Sequence, residues 1–122
     1  LQTRLGGSPA ADPFSYQNSA QFDADGQERV INPLVVRTNR QLTTGVFDFD
    51  ISDGRYFDVV ILPENLSDLG AYQPAGWSCR AGVANRPFEV VDIPGAETSP
   101  WKGIKVRVSA NEAVSCTQNV SR

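Results

Sequence analysis

The sequence predicts an all-β domain, an antiparallel β-sandwich of immunoglobulin-like or transthyretin-like type with about seven strands. Three observations support this prediction. Short segments alternate apolar and polar residues with a period of two, turn residues separate these segments at short intervals, and no stretch has the pattern of an amphipathic helix. A β-barrel made of the same strands is the alternative.

The length of 122 residues is enough for one domain with a single core. Hydrophobic residues make up 40% of the chain and charged residues 20%, a balance typical of a globular protein. Residues 1–20 are rich in Gly, Pro, Ser and Gln and show no periodicity, so we expect a linker or an N-terminal arm laid across the domain. Residues 21–122 are expected to form the sandwich itself.

The clearest local pattern is a β-hairpin in the middle of the chain. Residues 46–51 alternate, with both phenylalanines and the isoleucine on one face. Gly54 lies in the short turn that follows, where it can adopt a positive φ. Residues 55–62 then return as an apolar partner strand.

Five further strands complete the prediction. In the fourth of them the aliphatic side chains share one face, while Lys105 and Arg107 share the other. Prolines and glycines bound most of these segments, as expected at strand ends. The five segments are residues 34–40, 77–80, 87–92, 103–109 and 113–120.

The chain has two cysteines, Cys79 and Cys116. Each lies two residues from an apolar side chain, Trp77 and Val114, so that in strands all four would point into one interior. A disulfide would close a loop of nearly forty residues and stabilise the fold by roughly 4 kcal/mol on the chain-entropy model. Disulfides persist in oxidising compartments, so we expect an extracellular protein, secreted or on the cell surface. Two reduced, buried thiols in a cytosolic protein are the alternative.

The charge of the chain excludes two classes of partner. The net charge is −3, the pI is about 4.8, and the basic residues are scattered without a run of three. Nucleic acids and anionic membrane surfaces both require a concentrated positive field, so we expect neither as a partner. No apolar run approaches the length needed for membrane insertion. The chain does not begin with Met, and we expect a processed or excised piece of a longer precursor.

The residue types present argue against an enzyme. Histidine is absent, which excludes Ser-His-Asp and Cys-His catalysis and histidine-ligated metals. Asp48, Asp50 and Asp53, with Asp58 on the neighbouring predicted strand, form a carboxylate cluster that could suggest a paired-carboxylate glycosidase. That chemistry needs a cleft and a desolvated acid, whereas these carboxylates are expected on an exposed sheet face, neutralised by Arg37 or Arg55. The sequence therefore predicts no enzyme.

Calcium is the one cofactor that the sequence suggests. Asp23 and Asp25 alternate ahead of Gly26, and Glu28 follows, as at the start of a calcium-binding loop. The remaining ligands of a complete loop are missing from the residues that follow. An acidic surface turn is the alternative.

Trp101 and Tyr72 are the candidate ligand-binding residues. Trp101 follows a proline at the end of a loop, and with Tyr72 or Tyr56 it could form an exposed aromatic platform for a sugar or a protein. The alternative is that Trp101 packs in the core or anchors its loop. Trp77, two residues before Cys79, is expected to pack against the disulfide.

Two motifs in the C-terminal half carry a family resemblance. Gly76-Trp77-Ser-Cys79 follows an apolar strand, and the last strand reads Val114-Ser-Cys116-Thr-Gln-Asn119. With the Gly45-x-Phe-x-Phe segment, this resembles the prealbumin-like, SpaA-type pilin and adhesin modules of Gram-positive bacterial surface proteins. The resemblance covers residues 45–119.

The resemblance implies a structural or adhesive unit of a surface protein, cross-linked by Cys79 and Cys116. Its partners would be neighbouring domains of the same protein, or a host or glycan ligand. Many modules of this family also carry a Lys–Asn isopeptide bond with the lysine on an early strand, whereas Lys102 and Lys105 are both late. We therefore expect no isopeptide bond. The second hypothesis is a compact secreted domain that binds carbohydrate or protein through the aromatic residues.

Overall fold

The computed structural model describes residues 1–5, 7–10, 12–29, 35–38, 44–47, 49–64 and 70–122. This part of the chain is all-β and contains no helix, which confirms the predicted fold class. It forms ten strands rather than seven: β1 (Gln2–Leu5), β2 (Ser8–Pro9), β3 (Phe14–Asp23), β4 (Val35–Thr38), β5 (Tyr56–Pro63), β6 (Gln73–Ala81), β7 (Ala84–Asn85), β8 (Phe88–Val91), β9 (Gly103–Ser109) and β10 (Val114–Ser121).

The strands form two five-stranded sheets. The first sheet has the order β2-β1-β10-β6-β7, and the second has the order β4-β3-β5-β9-β8. Neighbouring strands are antiparallel in both sheets except at one place, where β1 runs parallel to β10. Two sheets with separate edges form a sandwich, not the barrel considered as the alternative.

The core lies between the inner faces of the two sheets. Because side chains alternate along a strand, every second residue of β10 from Cys116 to Val120 is buried. The second sheet contributes side chains such as Tyr16 of β3, Val59 of β5 and Ile104 of β9, and the first sheet contributes Cys116 and Val120 of β10. The two central pairs, β3 with β5 and β6 with β10, therefore position the residues described below.

The first twenty residues, expected as a linker or an arm, contribute strands to both sheets. β1 and β2 belong to the first sheet, and β3 lies second from the edge of the other sheet and runs across the predicted boundary at residue 20. Phe14 and Tyr16 are fully buried, but the residues after them in β3 are mostly polar. A bulge between Asn18 and Ala20 also breaks the period of two, so the alternation expected of a strand is hidden.

The predicted hairpin is wrong in its pairing. Residues 44–47 and 49–51 form no strand, Asp48 lies outside the described residues, and β5 pairs instead with β3 and β9. The turn is present, since Gly54 has a φ of 76° and the Arg55 amide donates to the Ser52 carbonyl at 3.0 Å. Phe47 and Phe49 pack against the core. The alternation in this segment therefore indicated burial on one side, not membership of a sheet.

The other predicted strands are present, most of them with shifted ends. β6 begins four residues before its predicted start, and β9 has the predicted bounds. Residue 34 and residues 39–40 of the first predicted strand lie outside the described residues. The three additional strands at the N-terminus and the two-residue β7 account for the higher strand number, after the loss of residues 46–51.

Candidate functional site

The disulfide joins two directly opposed residues of the first sheet. Cys79 of β6 and Cys116 of β10 are register partners with their Cα atoms 4.1 Å apart, and the bond between them confirms the predicted link. Both residues are buried in the core. A Cα separation this short is typical of a non-hydrogen-bonded pair in an antiparallel ladder, where side chains approach most closely. The pleat of the sheet thus places the two sulfur atoms within bonding distance.

Trp77 packs against the core cluster to which both cysteines belong. Its ring meets that of Tyr16 edge-on, with 5.7 Å between centroids, and its Nε1 donates to the Lys102 carbonyl at 3.1 Å. Tyr16 belongs to the second sheet and Trp77 to the first. The indole therefore connects the cross-linked sheet to its partner.

The strand nearest the N-terminus lies beside the last strand of the chain, in parallel. Gln2 pairs with Thr117 and Leu5 with Val120, so Leu1 lies level with Cys116 while Arg122 lies beyond the other end of β1. Leu1 and Gly45 also exchange two backbone hydrogen bonds, at 2.7 and 2.9 Å. The two ends of the described chain consequently leave the first sheet at opposite ends.

A chain of buried hydroxyl and amide groups crosses the sandwich next to this pair of strands. The Tyr16 hydroxyl donates to Oε1 of Gln118 at 2.7 Å, and the same hydroxyl contacts the Thr3 hydroxyl. Oγ1 of Thr3 lies 2.8 Å from Oγ1 of Thr38. All four residues are at most 2% exposed. Burial raises the pKa of Tyr16 well above its ordinary value, so the phenol remains protonated and able to donate.

Sequence reasoning missed this network. Thr3 and Tyr16 lie in the segment that was expected to be a linker or an arm. A polar residue that occupies an inward position of an alternating strand is the signal that could have identified Gln118.

The candidate calcium residues form a closed turn instead of an open ligand set. Oδ1 of Asp23 accepts hydrogen bonds from the amides of Asp25 and Gln27 at 2.9 and 3.0 Å, and Oδ2 accepts one from Nε of Arg29 at 3.1 Å. These hydrogen bonds lower the pKa of Asp23, and the bond from the Gln27 amide has the largest effect. Asp25 pairs with Arg55 at 2.9 Å. Glu28 forms an isolated β-bridge with Phe22.

In the part of the chain that the structure describes, no three acidic, cysteine or histidine side chains are grouped as a metal site would require. The residues predicted to bind calcium are brought near one another by the turn. However, the Asp23 oxygens are occupied by N–H donors, which a cation would have to displace.

Two carboxylates of the cluster considered for a glycosidase, Asp53 and Asp58, have different partners, while Asp48 lies outside the described residues. Asp58 pairs with Arg107 through two hydrogen bonds of 2.9 and 3.3 Å, and Asp53 accepts from the Asn111 amide at 3.0 Å. Arg55, expected to neutralise this cluster, pairs with Asp25 instead. An arginine thus neutralises Asp58, as expected, but this arginine is Arg107 of β9 and not Arg55.

Trp101 and Tyr72, the candidate ligand-binding residues, are both buried. Trp101 is 7% exposed and belongs to the core cluster. Tyr72 is 4% exposed, its ring meets Phe14 edge-on at 5.2 Å, and its hydroxyl donates to Asp12. Rings placed in this way have no open face on which a sugar could stack. Both rings therefore belong to the core, which for Trp101 was the alternative to an exposed platform.

A cleft lined mainly by apolar residues lies between the sheets at the Leu1 end, with a volume of about 640 Å³. Its lining comes from β5 and β9 of the second sheet, from β10 of the first sheet, and from residues 44–47 and 49–51. Asp50, Asn111 and Glu112 provide polar groups around it. The apolar lining comprises Leu1, Val46, Phe47, Phe49, Ile51, Val59, Ile61, Val106, Val108, Ala113 and Val114.

Both lysines lie at the surface in ordinary contacts. Nζ of Lys102 is 2.8 Å from Asp92, and Nζ of Lys105 lies 4.7 Å from the centre of the Phe22 ring. Neither contact joins a lysine to an asparagine side chain.

Across the residues that the structure describes, no helix has the length and apolarity to traverse a lipid bilayer. Comparison with protein-family models, with curated proteins and with solved structures finds no match to this chain.

Proposed function

We propose that this chain is a structural or adhesive module of a secreted or cell-surface protein, with no catalytic activity of its own. The observation that supports this proposal most strongly is the parallel pair β1–β10 beside the disulfide. A module whose two chain ends leave at opposite ends can be joined to neighbouring domains in a row. Neighbouring domains are then its first partners.

The disulfide supports an oxidising location. A bond between Cys79 and Cys116 closes a separation of 37 residues, which stabilises a small domain by roughly 4 kcal/mol on the chain-entropy model. Such bonds are kept in extracellular proteins and reduced in most cytosolic ones. A domain that depends on this link is suited to the cell exterior.

The proposed relation to SpaA-type modules gains support from one pairing. In the structure the strand that carries Trp77-x-Cys79 is the direct neighbour of the strand that carries Cys116-Thr-x-Asn119. This is the arrangement that the resemblance implies. The relation itself remains a proposal.

A second candidate function is a compact secreted binding domain. The apolar cleft favours it, because its volume lies within the range of small-molecule sites. This candidate differs from the aromatic platform predicted from the sequence, since Trp101 and Tyr72 are not among the residues that line the cleft.

The location is tested on the cells that produce the protein. Intact cells are treated with a protease, or labelled with an antibody against the protein, to measure its accessibility at the surface. The redox state of Cys79 and Cys116 is determined by mass spectrometry. We expect a surface-accessible or released protein with both sulfur atoms bonded. A protein confined to the cytoplasm with two free thiols would rule out the proposed role.

The binding candidate is tested with the dye 1-anilinonaphthalene-8-sulfonate. If the cleft binds apolar molecules, dye fluorescence rises saturably, and Val108→Trp, which fills the cleft, abolishes the rise. Val90→Trp is the matched control, because Val90 is 57% exposed on β8 outside the cleft. Equal dye binding by both variants would discard the candidate.

A further inference from the structure

We propose that the β1–β10 pair is a tension-bearing clamp, and that the disulfide holds β10 in place and limits how far the chain can extend. The inference rests on the proposed structural role, because only a module joined at both ends is pulled through its termini. It specifies how such a module would carry load.

The parallel direction of the two strands decides how force acts on them. Tension pulls Leu1 away from the sheet at one end and Arg122 away from it at the other, along the axes of β1 and β10. β1 must then slide lengthwise past β10. All hydrogen bonds between the strands are strained together, whereas pulling from the same end would open them one at a time.

The backbone of β1 is oriented for this load. The Thr3 carbonyl accepts from the Ala10 amide, and Leu1 exchanges hydrogen bonds with Gly45, so these residues face away from β10. Backbone groups of alternate residues in a strand point to opposite edges. Gln2 and Arg4 therefore direct their N–H and C=O groups toward β10, where they carry the shear load.

Side chains add resistance to sliding. Thr3 and Gln118 are register partners, and both form hydrogen bonds with the Tyr16 hydroxyl of the second sheet. In the last pair, Val120 belongs to the core cluster and Leu5 packs against it. Displacing β1 by one residue breaks these contacts in addition to the backbone bonds.

The disulfide anchors the β10 side of the clamp at its base. Cys116 immediately precedes Thr117, the first residue of β10 that pairs with β1. Its covalent link to Cys79 prevents β10 from sliding along β6. Under tension the weaker element is thus β1, and β10 remains in register.

The C-terminal end is held by side chains. The Arg122 guanidinium donates to the Tyr72 hydroxyl at 2.9 Å and lies 3.6 Å from Asp12, and it stacks over the Tyr72 ring at 4.8 Å. Tyr72 precedes β6 directly. The load at the C-terminus is therefore shared with the strand that the disulfide joins to β10.

The clamp is tested by pulling single molecules of the oxidised protein in two directions. One set of handles is attached at Leu1 and Arg122, and the other at Leu1 and Val83, which is fully exposed in the turn after β6 at the same end of the sheet as Leu1. We expect a severalfold higher rupture force between the termini. Equal rupture forces in the two directions would refute the clamp, because the fold and its stability are the same in both.

Two variants separate the parts of the clamp. Arg4→Pro removes an N–H that faces β10, and Arg4→Ala keeps it, so we expect only Arg4→Pro to lower the rupture force between the termini. The double variant Cys79→Ala/Cys116→Ala frees the 37-residue separation, and each unfolding event should lengthen by about 130 Å, at up to ~3.6 Å per residue. Its rupture force should also fall. An unchanged force would exclude the disulfide from the clamp. Circular dichroism, measured before pulling, shows whether the double variant has folded.

The force experiments and the location experiment fail independently. A cytoplasmic protein with a strong terminal clamp would overturn the proposed function alone. A surface protein that ruptures at the same force in both directions would overturn the clamp alone.

Discussion

The hydroxyl of Tyr16 and the side-chain amide of Gln118 join the two sheets through a hydrogen bond of 2.7 Å in the middle of the core. The single proton of the phenol is given to Gln118, so the Thr3 hydroxyl must donate to Tyr16 and the Thr38 hydroxyl to Thr3. The four side chains thus form one ordered chain of donors and acceptors. Removing an inner member, Thr3 or Tyr16, leaves a buried polar atom of a neighbour without its partner.

We expect Tyr16→Phe to destabilise the protein by about 1–3 kcal/mol, the usual cost of leaving a buried hydrogen-bonding group unsatisfied. Oε1 of Gln118 would lose its donor, and the Thr3 hydroxyl its acceptor. The free energy of unfolding is measured by urea denaturation. Tyr56→Phe is the matched control, because it removes the same hydroxyl from a partly exposed ring at which Arg107 stacks.

An equal loss of stability in both tyrosine variants would contradict the role of the network. The double variant Tyr16→Phe/Gln118→Leu provides a second check. Replacing both partners by apolar groups removes the unsatisfied amide as well. We expect it to recover part of the stability lost in the single variant.

Gly103 is required by the close contact of β9 with β5. A Cβ atom at this position would lie 2.5 Å from the Ile61 carbonyl oxygen and 2.4 Å from Cδ2 of Leu62. Backbone cannot yield as a flexible side chain can, so we expect Gly103→Ala to cost about 1–3 kcal/mol in urea denaturation. Gly70→Ala, where a Cβ meets nothing within 4 Å, should be close to neutral. A neutral Gly103→Ala would show that the two strands separate easily.

The sequence predicted the strands that alternate and the disulfide, because both have local signals. Strand β9 follows the period of two without interruption, and its bounds were predicted correctly. The spacing of Cys79 from Trp77 indicated a buried strand position. In each case the side-chain pattern alone determines which face is buried.

The pairing of strands could not be predicted in the same way. β3 carries polar residues and a bulge, and the tertiary contacts that bury Phe14 and Tyr16 are made with strands far along the chain. Residues 46–51 had the cleaner pattern, but residues 46–47 and 49–51 line the cleft without joining a sheet. β5 pairs with β3 and β9, which are both distant from it in the sequence, and no local pattern specifies such pairings.

Stability should fall in acid partly through Asp23. Its pKa is lowered in the folded protein, chiefly by the hydrogen bond from the Gln27 amide. A carboxyl with a lowered pKa contributes its stability above the ordinary value of 3.8 and loses it as the pH falls below that value through the folded pKa. Urea denaturation between pH 2.5 and 7 should show this decrease in the native protein. Asp23→Asn should be less stable at pH 7 and should lose less on acidification, and parallel curves would contradict this assignment.

We expect Trp101 to stabilise the fold and not to contact a ligand. Its 7% exposure predicts that Trp101→Ala costs about 3–5 kcal/mol, with a smaller loss for Trp101→Phe, both measured by urea denaturation. In a Trp77→Phe background the remaining indole is Trp101, so its fluorescence should be resistant to acrylamide and shift to longer wavelength on unfolding. A readily quenched indole, together with an unchanged free energy of unfolding in Trp101→Ala, would place the ring at the surface. That result would restore the aromatic platform as a binding site, because a stacking face must be accessible before a ligand can cover it.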